Sequence, residues 1–189
     1  MRRLRTVLLS LALGAATLTG CVLTQAQILA HFGLDPTFQI GPPPENPVHR
    51  ELVDLNTVEE YVDHKDDLEG LSDLALVGTF TNVTPAGPIN TGGTMEVWIT
   101  AGDTNLSDPT TGGAVKLWGP KSIGPSPDAV TISWDESAAL FTKEGKDLLI
   151  DTIKGDGIFT AYVYTTGGAA AQTFRVDDGQ IILVLAGGL

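Results

Sequence analysis

The sequence predicts a mainly β protein folded as a two-layer antiparallel β-sandwich with one or two short helices. Three observations carry that prediction. From His49 onward, short runs of alternating apolar and polar residues recur, each bounded by Gly, Pro, Asn or Asp. The 189 residues include 22 Gly and 11 Pro, the residue types that make tight turns between strands. A hydrophobic share of 42% is ample for a packed core and argues against wholesale disorder. Composition also narrows function. With 23 acidic residues against 11 basic and a net charge of −12, the chain lacks the clustered Lys and Arg that phosphate binding needs, so no nucleic-acid partner is expected. A single cysteine excludes an internal disulfide and any cysteine-based zinc site.

The first element is a leader. Met1-Arg2-Arg3-Leu4-Arg5 is a positive start, residues 7–16 are apolar, and small residues at Thr19 and Gly20 precede Cys21. Such a segment is too short to span about 30 Å of hydrocarbon and reads as a secretory signal. Arg2-Arg3 lacks the flanks of a twin-arginine leader, so general secretion is favoured. Leu18-Thr19-Gly20-Cys21 resembles the lipobox of bacterial lipoproteins. That resemblance implies cleavage before Cys21, diacylglycerol transfer to its sulfur and acylation of the new amino group. Two or three acyl chains, at ~0.8 kcal/mol per buried methylene, hold a protein on a membrane almost permanently. Val22 rather than Asp after the cysteine resembles outer-membrane sorting in organisms with two membranes. Cleavage leaves 169 residues (189 less the leader of 20), with 8 basic residues against 23 acidic. A surface so acidic is repelled by anionic lipid, so membrane contact is expected through the anchor alone.

Beyond the anchor, residues 25–32 are expected to form a helical turn or two, and residues 37–40 a short strand. Gly41-Pro42-Pro43-Pro44 reads as a stiff break. Residues 21–47 are therefore expected to be an anchor and Pro-rich spacer, and residues 48–189 the sandwich domain. Residues 51–55 read as a strand, followed by a short amphipathic helix to about Glu69, with Thr57 and Glu60 at capping-box spacing. Leu74, Leu76, Gly78 and Phe80 share one face of the next strand. Further strands are expected at 94–101, 114–118, 129–134, 157–165, 171–177 and 180–186. A second helix is expected near 143–154, where Leu149, Ile150 and Ile153 share a face and Gly155 ends it. Asp178-Gly179 predicts a hairpin turn, and the apolar run 181–185 a strand covered on both sides. The order of these elements is similar to that of uncharacterised lipoproteins with an immunoglobulin-like sandwich, a resemblance that implies a fold and no activity.

The search for chemistry is mostly negative. His31, His49 and His64 form no HExxH, and no nucleophile elbow, P-loop or dinucleotide fingerprint occurs. No enzyme activity, cofactor or metal is therefore expected, although a carboxylate-based hydrolase would leave no such motif. Residues 103–108 begin like an EF-hand loop, but Asp108 stands at the Gly position and Ala114 at that of the bidentate Glu. A second acidic cluster, Asp63, Asp66, Asp67 and Glu69, reads as solvated surface.

One repeat stands out. Thr-Gly-Gly leads into a strand ending in Trp at 91–98 and again at 111–118. Strand alternation sets Glu96 and Trp98 opposite Met95, Val97 and Ile99, and Lys116 and Trp118 opposite Val115 and Leu117. Paired as a hairpin, these strands would bring Trp98 and Trp118 together beside Glu96 and Lys116, a patch suited to a sugar ring or a protein partner. Trp134 falls with Val130 and Ile132 and reads as core. The expected function is a non-enzymatic, lipid-anchored envelope protein with an interaction or structural role. The alternative is a carbohydrate- or small-ligand-binding lipoprotein using Trp98 and Trp118. Its partners would be the membrane through Cys21, and an envelope protein or a glycan.

Overall fold

A computed structural model describes residues 25–33, 37–45, 47–85, 92–166 and 170–188. The leader, the lipobox and Cys21 lie outside these residues. The chain forms two antiparallel sheets packed face to face around one apolar core. In the first sheet, β9 (Gln172–Gly188) lies between β4 (Leu68–Asn82) and two strands set end to end on its other edge, β1 (Gln25–Gly33) and β2 (Thr37–Ile40). The strand β7 (Ala129–Ile132) closes the far side of β4. The second sheet has the order β3 (His49–Asp54), β8 (Ile158–Thr166), β5 (Gly93–Ala101), β6 (Val115–Ile123). Leu74, Leu76, Phe80, Phe174, Leu183 and Leu185 from the first sheet meet Met95, Val97, Ile99, Phe159 and Leu117 from the second. Alternation grouped Leu74, Leu76 and Phe80, and likewise Met95, Val97 and Ile99, on one face of their strands.

Three short helices cover gaps in the sandwich. Residues 59–64 form α1 (Glu59–His64), whose Tyr61 is buried and donates a hydrogen bond to the Ile153 carbonyl at 2.7 Å. The helix α3 (Lys143–Lys154) buries Leu149 and Ile153 on one face, as its spacing predicts. Thr142 caps it by accepting from the Gly145 N–H. The capping box expected at Thr57 and Glu60 does not form. Asp54 instead caps a 3-10 turn, Leu55–Thr57, by accepting from the Asn56 N–H at 2.9 Å. Residues 65–67 form a second 3-10 turn that delivers the chain into β4. Among the described residues no helix is long and apolar enough to cross a membrane.

Four expectations are corrected. Residues 25–33 form a strand rather than helical turns, because the second half of β9 offers an open edge that they pair from Gln25↔Gly188 to Gly33↔Gln180. Nonlocal pairing overrides a weak local preference. The supposed spacer therefore supplies two strands, and Phe38 and Ile40 of β2 are buried in the core. Asp178-Gly179 is not a turn. The 15 residues of β4 offer an unbroken partner, so β9 runs straight through and the two residues bulge opposite Gly78. Asp178 takes φ +54, and a Cβ on Gly78 would lie 2.8 Å from the Gly179 Cα. Finally, Trp134 is only half-buried. Ser133 caps α2 (Trp134–Ala138), which turns the indole off the strand alternation and lets it donate to Asp73 at 3.1 Å.

One small residue joins the layers. The Ser137 hydroxyl, fully buried on α2, accepts from the Leu76 N–H of β4 at 2.7 Å and lies 3.2 Å from the Trp118 indole nitrogen. It thereby satisfies a backbone donor on a stretch of β4 that β7 does not reach. Ser137→Ala is expected to destabilise the domain by about 1–3 kcal/mol, read as a lower urea midpoint at unchanged slope. An unchanged midpoint would mean that Leu76 finds another acceptor.

Candidate functional site

The outer face of the second sheet carries the predicted patch, in part. Trp98 pairs with Lys116 on β6 and with Tyr162 on β8, and Glu96 pairs with Tyr164. Paired residues share a face, so a carboxylate, an ammonium group, an indole and a phenol converge there. Glu96 is 7% exposed and accepts three hydrogen bonds: Lys116 Nζ at 2.7 Å, Trp98 Nε1 at 2.9 Å and the Tyr164 hydroxyl at 3.1 Å. The Lys116 ammonium sits 5.6 Å from the centre of the Trp98 ring, a cation–π contact. The Trp98 and Tyr164 rings lie 6.2 Å apart at 40°.

Trp118 is not part of this group. Val97 pairs with Trp118 but Trp98 pairs with Lys116, so Leu117 is an extra residue in β6. That bulge shifts the alternation by one and turns Trp118 inward, where it is 0% exposed. The next residue, Gly119, holds φ +99, and a Cβ there would lie 2.8 Å from the Met95 carbonyl oxygen. The Trp98–Trp118 pair therefore does not exist. The sequence signal for Tyr164 was present but unread: alternation along β8 sets Thr160, Tyr162 and Tyr164 opposite Phe159 and Ala161.

The loop between β5 and β6 covers this face. Thr104 hydrogen-bonds the Tyr162 hydroxyl at 2.5 Å, its N–H donates to Thr160 at 3.0 Å, and Thr160 donates to the Gly102 carbonyl at 2.8 Å. Arg50 of β3 donates to the Thr104 carbonyl at 2.6 Å and forms an ion pair with Asp103. Asp108 accepts from the Thr110 N–H at 2.9 Å and from its hydroxyl at 2.6 Å. The side chains that resembled a calcium loop are thus engaged with the protein. Among the described residues no group of three His, Cys, Asp or Glu side chains is placed to hold a metal ion.

Electrostatics fix the protonation states. Burial pushes the Glu96 carboxyl up, but the bonds from Lys116 and Trp98, the Lys116 charge and the Tyr164 bond together hold it below the ordinary glutamate range. Burial, the adjacent Glu96 charge and the bond to it push the Tyr164 phenol well above its usual range. The carboxylate stays charged and the phenol stays neutral across physiological pH. Both shifts move these two groups away from neutral pH, where proton exchange with a substrate is most effective. No protein-family model matches the chain, and no curated protein matches it.

The other concave feature lies between the sheets. It is lined mostly by apolar side chains, Leu76, Phe80, Met95, Trp118, Phe141 and Val163 among them, with His49 and Glu51 also in its wall, and has a volume of about 30 Å³. That is room for one or two waters.

Proposed function

We propose that the protein is a non-enzymatic lipoprotein of the bacterial cell envelope, anchored through acyl chains on Cys21 and acting by interaction or as a structural component. The observation that carries this reading is the lipobox Leu18-Thr19-Gly20-Cys21 directly after a charged and apolar leader. The acidic mature surface and the proton-inert Glu96 cluster are consistent with it. In an organism with two membranes, Val22 favours the outer one. A glycan- or ligand-binding reading loses its tryptophan pair and rests on Trp98 alone, whose N–H is already given to Glu96.

The test is expression of the full chain in a bacterium fed an alkyne-labelled fatty acid, beside Cys21→Ala. The wild-type chain is expected to take up label and enter the detergent phase on phase separation. Cys21→Ala is expected to lose the label entirely and remain in the aqueous phase or uncleaved. Equal labelling of both chains would refute the anchor.

A further inference from the structure

The start of β1 fixes which end of the molecule meets the membrane, and this inference rests on the anchor proposed above. Cys21 and Gln25 are four residues apart, so the chain between them spans at most about 14 Å. Gln25 is not the end of a loose tether. It begins a strand paired residue by residue with β9, opposite Gly188, and the next residue of β9, Gly187, pairs with Leu68 at the start of β4. The beginnings of β1 and β4 and the end of β9 therefore lie together at one end of the first sheet. The 3-10 turn of residues 65–67 leads directly into Leu68, so α1 and that turn occupy the same end.

We infer that the anchored protein presents this end, capped by α1 and the turn after it, to the lipid headgroups. The opposite end, where Thr81 of β4 pairs with Ala129 of β7, would be held away from them. Leu68 and Thr81 are thirteen positions apart on β4, about 40 Å of strand, so the anchor's reach of about 14 Å constrains the first end directly and the second only through the tilt of the molecule. The proximal end is also acidic. Glu59, Glu60, Asp63, Asp66, Asp67 and Glu69 are all exposed, against Lys65 and Lys154, whose ammonium donates to the Glu69 carbonyl at 3.3 Å. Anionic headgroups would repel it within a Debye length of about 8 Å at physiological salt. Zwitterionic headgroups would not. The short reach from Cys21 to β1 and the charge of this end thus specify a molecule that stands on its acidic end, and does so most closely on a neutral lipid surface.

The test uses the processed, acylated full chain in phosphatidylcholine vesicles, where the repulsion is absent. Its one cysteine is blocked by the thioether, so Val62→Cys on α1 and Ala129→Cys on β7 can each be labelled with a fluorophore; both sites are exposed. With a nitroxide on the lipid headgroup, the label at 62 is expected to be quenched at least twofold and the label at 129 hardly at all. Equal quenching at both sites, or stronger quenching at 129, would overturn the orientation while leaving the anchor intact. Failure of the acylated protein to float with the vesicles would instead overturn the anchor, and the orientation with it.

Discussion

Trp118→Ala is expected to destabilise the domain by about 3–5 kcal/mol, the usual cost of deleting a large buried aromatic. Out of a total stability of about 5–15 kcal/mol, such a loss leaves little margin. The indole touches both layers: it lies in the core, lines the cavity between the sheets, and donates to Ser137 on α2. The existing cavity argues for the upper part of the range, since neighbours that already leave space have not collapsed to fill it. Trp98→Ala is expected to cost less than half as much, because that indole is half-buried on the outer face. Urea unfolding of the two variants decides the matter. Equal midpoints would mean that β6 lacks its bulge and that Trp118 shares the outer face after all.

That contrast shows where the sequence was legible. Alternation identified β5, β8, the part of β4 from Leu74 and the buried face of α3, because their large apolar residues recur at one period against a buried layer. It failed at Trp118 because one extra residue, Leu117, inverts the alternation until a second bulge at Gly119-Pro120 restores it, and nothing local marks a bulge whose partner strand is unknown. Asp178-Gly179 failed for the opposite reason. Its local signal was strong, but a hairpin there would have left the length of β4 without a partner. The 25–33 segment was misread as helical for the same cause, since only the free edge of β9 makes it a strand. At the patch, Glu96, Trp98 and Lys116 were placed together correctly, whereas Tyr164 and the covering loop depend on the β5–β8 register, which no spacing rule supplies. Cys21 is the reverse case, read from a motif alone and lying outside the described residues.

Removing either charge of the Glu96–Lys116 pair is expected to destabilise the fold more than removing both. Glu96→Gln leaves Lys116 facing an amide, and Lys116→Met leaves a nearly buried carboxylate with only the indole and phenol donors. Each single change should cost about 2 kcal/mol, the low end for a buried charge pair because the Lys116 side chain is still 31% exposed. The double variant should recover part of that loss, since no unpartnered charge remains. The pair also predicts a pH dependence. Glu96 titrates lower in the folded chain than in the unfolded one, where glutamate has a pKa of about 4.3. Its contribution is therefore complete above that value and disappears as pH falls through the lower folded one, because the unfolded chain then binds the extra proton. Urea midpoints between pH 3 and pH 7 should fall more steeply below about pH 4.3 for the wild-type chain than for Glu96→Gln. Every other carboxylate is common to both proteins, so the difference between the two curves isolates Glu96. Parallel curves, or a double variant as unstable as the sum of the singles, would mean that the carboxylate is solvated rather than held by Lys116, Trp98 and Tyr164.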